Sequence, residues 1–167
     1  MEAMLAMFRA DLATSIRLAE EALSQLPQSN SFMRAIAADV LGIAHTSLGN
    51  LAPAEEAFQL VFSTAQETGN RMMSVVALCN LAGIRVIRGE LRAASHAYTQ
   101  ALTLGTDARG QRLPVAARAL LGLGELARER NKLETAVDCL TEALALCERY
   151  GEISSVVCHL TLARVRQ

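Results

Sequence analysis

Tryptophan is absent from the chain, and phenylalanine and tyrosine together supply only 4% of its 167 residues. With apolar residues still at 51%, the hydrophobic mass has to come from small and aliphatic side chains, mostly Ala and Leu. That composition favours closely packed helices over a sheet. Runs rich in Val, Ile or Thr are few, and none alternates with a period of two for long. No apolar run approaches the ~18 residues that a membrane span needs, so no membrane association is expected. An excess of one charge is also missing. The formal net charge is −1, whereas phosphate binding needs a concentrated basic face; direct nucleic-acid binding by this segment is therefore not expected. The opening "MEAMLAMFRADL" has no basic start and no cleavage region, which argues against a signal peptide. Cys79, Cys139, Cys147 and Cys158 form no CxxC and lie in apolar helical patterns. They read as buried thiols in a reducing, cytoplasmic compartment.

Repetition, by contrast, is abundant. "GNLAPAEEAFQLVFSTAQETGN", "GELRAASHAYTQALTLGTDARG" and "NKLETAVDCLTEALALCERYGE" align, with Leu51, Leu91 and Leu133 at their third position. Ala54, Ala94 and Ala136 occupy the sixth, and Phe58, Tyr98 and Leu140 the tenth. A worn copy places Leu12 in the same register, so the leucine intervals are 39, 40 and 42 residues. Gly69, Gly110 and Gly151 recur at an interval of 41. Periods of this size signal stacked helical units. Ahead of each register leucine lies a second amphipathic segment, carrying Leu41–Gly42, Leu81–Ala82 and Leu123–Gly124 in matching places. Gly49 and Gly89 fall where a helix ends in the left-handed conformation. Pro53 and Pro114 sit near helix starts, and Pro27 closes a helix.

The expectation is an all-α fold: a right-handed superhelix of about four antiparallel helix hairpins with a period of about 40 residues. A single solenoid would cover 1–167, with repeats near 1–31, 32–70, 71–110 and 111–151 and a half-repeat at 152–167. The small residues Gly42, Ala82 and Gly124 are expected to face Ala54, Ala94 and Ala136 across each hairpin, so that Ala94→Leu destabilises more than Ala93→Leu. Leu160 in "CHLTLARVRQ" falls in register with Leu41, Leu81 and Leu123. The segment thus reads as a slice of a longer solenoid whose terminal helices are uncapped. Met4, Leu5, Phe8, Val156, Val157, Leu160 and Val165 would be partly uncovered, and self-association through these ends is expected.

Site chemistry is sparse. "GLG" at Gly122–Gly124 lies inside a helical pattern and lacks a preceding strand, so it reads as packing and not as a nucleotide loop. No GK[ST] occurs. His45, His96 and His159 are not spaced for a shared metal on one helical face, and no catalytic triad has a local signature, so neither a metal nor enzymatic activity is expected. The charge run "ARERNKLE", residues 127–134, could be a docking patch but reads more readily as a solvated helix end and turn. Stacked hairpins curve, and the first helix of each pair lines the inner side. The polar candidates on that face are Asp39, Thr46, Asn80, Arg118, Glu125, Arg128 and His159, among the apolar Ile36, Ile43, Val76, Val86 and Leu121. Arg118 and Arg128 could grip a carboxylate or a sugar hydroxyl. Alternatively they form exposed ion pairs with Glu125 and its neighbours, worth about 0–1 kcal/mol.

Leu–Gly in the first helix, Gly at the turn, and Ala followed by a bulky residue in the second helix together resemble the tetratricopeptide (TPR) pattern over nearly the whole chain. The units are longer than the standard ~34 residues. Three stretches, among them "LPVAARALLGLGELARERNKLETAVDCLTEALALCERYGE", resemble the sensor region of MalT-type regulators, the large ATP-dependent members of the LuxR class. The resemblance implies a non-enzymatic sensor module that takes a small-molecule inducer or a regulatory protein on its inner surface. It implies no cofactor in this segment, ATP being expected only in a separate preceding domain, and a helix-turn-helix domain after the repeats. It also places Asn80 where TPR grooves often contact a peptide backbone. The rival reading is a stand-alone TPR scaffold for protein–protein interaction.

Overall fold

A computed structural model describes residues 2–8, 11–150 and 155–165. Its helices are α1 (Glu2–Phe8), α2 (Leu12–Gln25), α3 (Ser31–Ser47), α4 (Leu51–Glu67), α5 (Arg71–Ile87), α6 (Leu91–Leu104), α7 (Ala116–Glu129), α8 (Leu133–Tyr150) and α9 (Ser155–Val165). Among the described residues no strand occurs, and β-pairing is limited to an isolated bridge between Thr106 and Arg112. Contacts divide the chain into two compact units, Met1–Ile84 and Arg85–Gln167.

In the first unit, α2 begins where Asp11 accepts a hydrogen bond from the Thr14 amide at 3.1 Å. The Thr14 side chain first, and then this amide hydrogen bond, lower the Asp11 carboxyl pKa from its ordinary value. At its other end α2 stops before Pro27, and its last carbonyls are answered from α3. The Arg34 guanidinium donates to the Leu23 and Leu26 carbonyls at 2.8 and 3.1 Å, which supplies partners that a helix C-terminus lacks. The buried Ser15 hydroxyl donates to the Ala3 carbonyl at 3.0 Å and ties α2 to α1. The α3–α4 hairpin packs through Ala35, Ala38, Val61 and Ala65, joined by Met73 and Ala77 of α5. Deeper in, Phe58 lies directly over Gly42: a Cβ on Gly42 would stand 2.5–2.8 Å from three ring carbons. The Phe58 ring is 2% exposed and packs with Ala54, Leu81 and Ile84.

The second unit repeats this device. Leu140 covers Gly124, and the Tyr98 ring covers Gly122. The small residue therefore makes room for the bulky tenth-position side chain. Ala54, Ala94 and Ala136 are fully buried beside it, but the group that fills the space over Gly42 and Gly124 is Phe58 and Leu140, with the Ala136 carbonyl also near Gly124. Glycine at these places makes helix–helix approach possible without overpacking. Ala94 is buried whereas its neighbour Ala93 is half-buried, as the register requires.

The hairpin turns share one backbone geometry. Gly49 and Gly89 have φ of 78° and 77°. Each donates its amide three residues back, to Thr46 and Val86, while the next residue donates to the His45 or Arg85 carbonyl. The α7–α8 turn makes the same bonds with Asn131, φ 57°, at the left-handed position, which Asn tolerates better than other residues with a Cβ.

One alignment from the sequence fails structurally. Gly69 directly follows the α4 C-cap Thr68, but α6 has already stopped at Leu104, with Gly105 as its C-cap. Gly110 lies instead in the connection 105–115. There the Asp107 carboxylate accepts from the Arg109 and Gln111 amides at 2.9 and 2.8 Å, and the Leu113 amide closes onto the Gly105 carbonyl at 2.8 Å. An Asp that can satisfy a local turn competes with helix continuation. The equal spacing of Gly69 and Gly110 thus joins a helix cap to a loop tip; Gly151 lies outside the described residues.

Candidate functional site

All seven polar candidates lie on first helices: Asp39 and Thr46 on α3, Asn80 on α5, Arg118, Glu125 and Arg128 on α7, and His159 on α9. In the first unit, Asp39, Thr46 and Asn80 are half-buried. Asn80 donates its side-chain amide to an Asp39 carboxylate oxygen at 3.0 Å, linking α5 to α3 across 41 residues of sequence. Thr46 donates its hydroxyl to the Gly42 carbonyl at 2.8 Å, so this proton serves its own helix and an incoming group would meet the oxygen lone pairs.

In the second unit, Arg118 and Glu125 are exposed and Arg128 is half-buried. Of the alternative ion pairs with Glu125 and its neighbours, Arg128 forms one with Glu129. Arg128 Nη2 contacts Glu129 Oε1 at 2.5 Å, its Nε is buried without a hydrogen-bond partner, and Glu125 accepts from the Thr161 hydroxyl of α9 at 3.4 Å. His159 is exposed, with Nε2 3.8 Å from Glu148 Oε1 on α8. Thr161 was not among the sequence candidates, although it is 2% exposed and links α9 to α7. The signal was present: Thr161 follows Leu160 as Gly42, Ala82 and Gly124 follow their leucines, so it holds the small-residue position with a hydroxyl added.

The candidate side chains present hydrogen-bond donors, acceptors and charges. Burial, and the nearby Glu142 and Asp138 carboxylates, push the Cys139 thiol above its usual pKa, which keeps it protonated and weakly nucleophilic at neutral pH. Cys79 and Cys147 are buried; the Cys158 side chain lies outside the described residues. Among the described residues no three His, Cys, Asp or Glu gather where they could hold a metal ion. Likewise no helix there is long and apolar enough to cross a membrane. A small cavity of about 130 Å³ lies at one end of α3 and α4, lined by Phe32, Ala35, Ala65 and Met73 among others. None of the seven candidates reaches it.

Hairpins packed through small residues, left-handed residues at the α3–α4, α5–α6 and α7–α8 turns and polar side chains exchanged between successive first helices define a helical-repeat protein of the TPR type. The chain belongs to the MalT-like TPR region family, whose model matches residues 1–167. It is similar to the HTH-type transcriptional regulator MalT of Serratia proteamaculans (strain 568), with 28% identity over 148 residues, covering 89% of this chain and 16% of that protein. The chain therefore spans about a sixth of that relative's length. Two solved structures share the fold. BtubC of P. vanneervenii superposes with a TM-score of 0.75 at 20% identity, over 98% of this chain and 68% of that one. The apo form of RapI superposes with a TM-score of 0.78 at 16% identity, over 98% and 60%.

Proposed function

We propose that this chain is the sensor module of a MalT-type transcription regulator, non-enzymatic and cytoplasmic, and that a small-molecule inducer or a regulatory protein binds on the first-helix face of its repeats. The observation that carries the reading is the Asn80–Asp39 hydrogen bond. A half-buried amide–carboxylate pair links the successive first helices α3 and α5. Such a pair can hand its donor or acceptor to a ligand hydroxyl or peptide group at little net cost, because one hydrogen bond replaces another. A ligand that prefers one arrangement of these helices shifts the parent protein toward it by the difference in its affinities for the two states. Cofactor chemistry would lie elsewhere: ATP is assigned to a separate domain of the parent and none to this segment.

Calorimetric titration of maltotriose into the chain tests the small-molecule reading. Saturable heat that Asn80→Ala reduces at least about tenfold in affinity is expected, which corresponds to loss of about 1.4 kcal/mol. Heat unchanged by Asn80→Ala and by Asp39→Ala overturns this site assignment. The parent reading frame is expected to continue into a helix-turn-helix domain; a gene without one removes the regulator reading and leaves a TPR scaffold.

A further inference from the structure

The α5–α6 and α7–α8 turns gather Arg85, Arg88, Arg92, Arg128, Arg130 and Lys132 within residues 85–92 and 127–134. Against them stand only Glu90, Glu129 and Glu134. The second unit holds twelve Lys and Arg against nine Asp and Glu, so these two turns account for its whole positive excess. The first unit is opposite in sign, with four Arg against eight carboxylates. The turns form one edge, because Arg130 Nη2 of the α7–α8 turn donates to the Leu91 carbonyl at the start of α6 at 2.9 Å.

The fold does not ask for this charge. In register with the two basic turns, the α3–α4 turn, residues 45–52, reads "HTSLGNLA" and holds no Lys, Arg, Asp or Glu. It nevertheless makes the same backbone hydrogen bonds around a residue of positive φ. Some of the cations have structural work: Arg85 and Arg128 sit in last turns, where a helix dipole welcomes them, and Arg130 donates to the Leu91 carbonyl. Arg92 and Lys132 do not. Arg92 is the second residue of α6 and Lys132 immediately precedes α8, at the positive ends of their helix dipoles, where a cation is unfavourable. Both are exposed. Large apolar side chains are exposed among them too: Val86 at 37%, Ile87 at 60% and Leu133 at 44%. An open depression of about 440 Å³, lined by Asn131, Lys132, Leu133, Glu134 and Thr135, adjoins the edge.

We infer that this edge is a docking surface for an acidic protein segment that carries large apolar side chains, whose carboxylates meet the arginines and lysine while its apolar groups cover Ile87 and Leu133. Charge complementarity sets the sign of the partner. The exposed aliphatic groups favour a protein segment over a phosphate backbone, which would leave them in water. The edge shares Arg128 with the first-helix candidates, but Arg92 and Lys132, which test it, are not among them, and Asn80 and Asp39, which test the sensor reading, are not part of it, so either can fail without the other.

The probe is a fluorescein-labelled, end-blocked peptide of about twelve residues that alternates Glu or Asp with Leu, titrated into the full chain and followed by anisotropy. Binding is expected to weaken at least about tenfold between about 50 and 300 mM NaCl. It is expected to fall about tenfold again in Arg92→Ala/Lys132→Ala, a substitution that removes no hydrogen bond and leaves the helix content unchanged by circular dichroism. An oligoglutamate of equal length is expected to bind at least about tenfold more weakly, because Ile87 and Leu133 gain nothing from it. Absence of peptide binding at the lower salt overturns the proposal, as does equal binding of oligoglutamate or indifference to Arg92→Ala/Lys132→Ala. Tighter binding of a short DNA duplex through the same residues assigns the edge to phosphate instead. A salt-sensitive dimer in sedimentation, lost in Arg92→Ala/Lys132→Ala, assigns it to a second copy.

Discussion

The α3–α4 and α7–α8 hairpins build the same object from different residues. Both place a glycine of the first helix under a bulky residue of the second, Gly42 under Phe58 and Gly124 under Leu140. Both turn through a residue of positive φ, Gly49 in one and Asn131 in the other. One turn is free of Lys, Arg, Asp and Glu and the other is crowded with them. What the two share is what the hairpin needs: room at one helix crossing and one left-handed residue. What differs is open to other uses, and the charge of the α7–α8 turn belongs to that second category.

The sharpest way to break the comparison is at the helix crossing. Gly42→Ala drives a methyl to within 2.5–2.8 Å of three carbons of a buried aromatic ring. Overpacking of about 3 kcal/mol, less about 1 kcal/mol regained in helix propensity, leaves a net loss of about 2 kcal/mol in chemical denaturation. Gly124→Ala meets Leu140 Cγ at 2.7 Å, but an aliphatic side chain can shift, and about 1 kcal/mol is expected. Partial recovery in Gly42→Ala/Phe58→Leu would confirm the ring as the obstacle. Wild-type stability of Gly42→Ala would mean that the crossing is looser than the geometry requires.

A second contrast separates arginines by what they hold. Arg34 is half-buried and answers two carbonyls at the end of α2, so Arg34→Ala is expected to cost about 1.5 kcal/mol. Arg130 is exposed and answers one carbonyl, Leu91, and Arg130→Ala is expected to cost well under about 1 kcal/mol because water replaces it. Equal losses in the two variants would show the Arg130 bond to be as structural as Arg34, and would weaken the case that the basic edge serves a partner.

The hairpins were legible in the sequence because each constraint leaves a residue type at a fixed place: leucine then a small residue, glycine at the turn, alanine then a bulky residue. The helix that stops early was not. Nothing in a spacing of 41 says whether Gly110 caps a helix or tips a loop, and the Asp107 turn that decides it acts through side-chain hydrogen bonds to nearby amides. The candidate site divides in the same way. Periodicity placed Asp39, Asn80, Glu125 and Arg128 on first helices, which is a property of the backbone. The pairing among them depends on rotamers and on which neighbour arrives first. Arg128 turns to Glu129, and Glu125 receives a hydroxyl from Thr161, a residue that its register position marked as small.

A last contrast lies in the turns. Gly49 holds φ 78° with open space around it, so Gly49→Ala meets no clash and pays only for the backbone, about 1 kcal/mol or slightly more. Asn131 already carries a Cβ at φ 57°, and replacing it with glycine removes that strain while adding freedom to the unfolded chain. The first term favours the folded state and the second opposes it. Since Asn is the mildest of the residues that bear a Cβ in this region, Asn131→Gly is expected to gain no more than about 0.5 kcal/mol. A thermal midpoint raised by a degree or two fits that balance. A loss of stability would instead show that the Asn131 side chain does something for the α7–α8 turn that its backbone conformation does not explain, and the two hairpins would then differ in more than their charge.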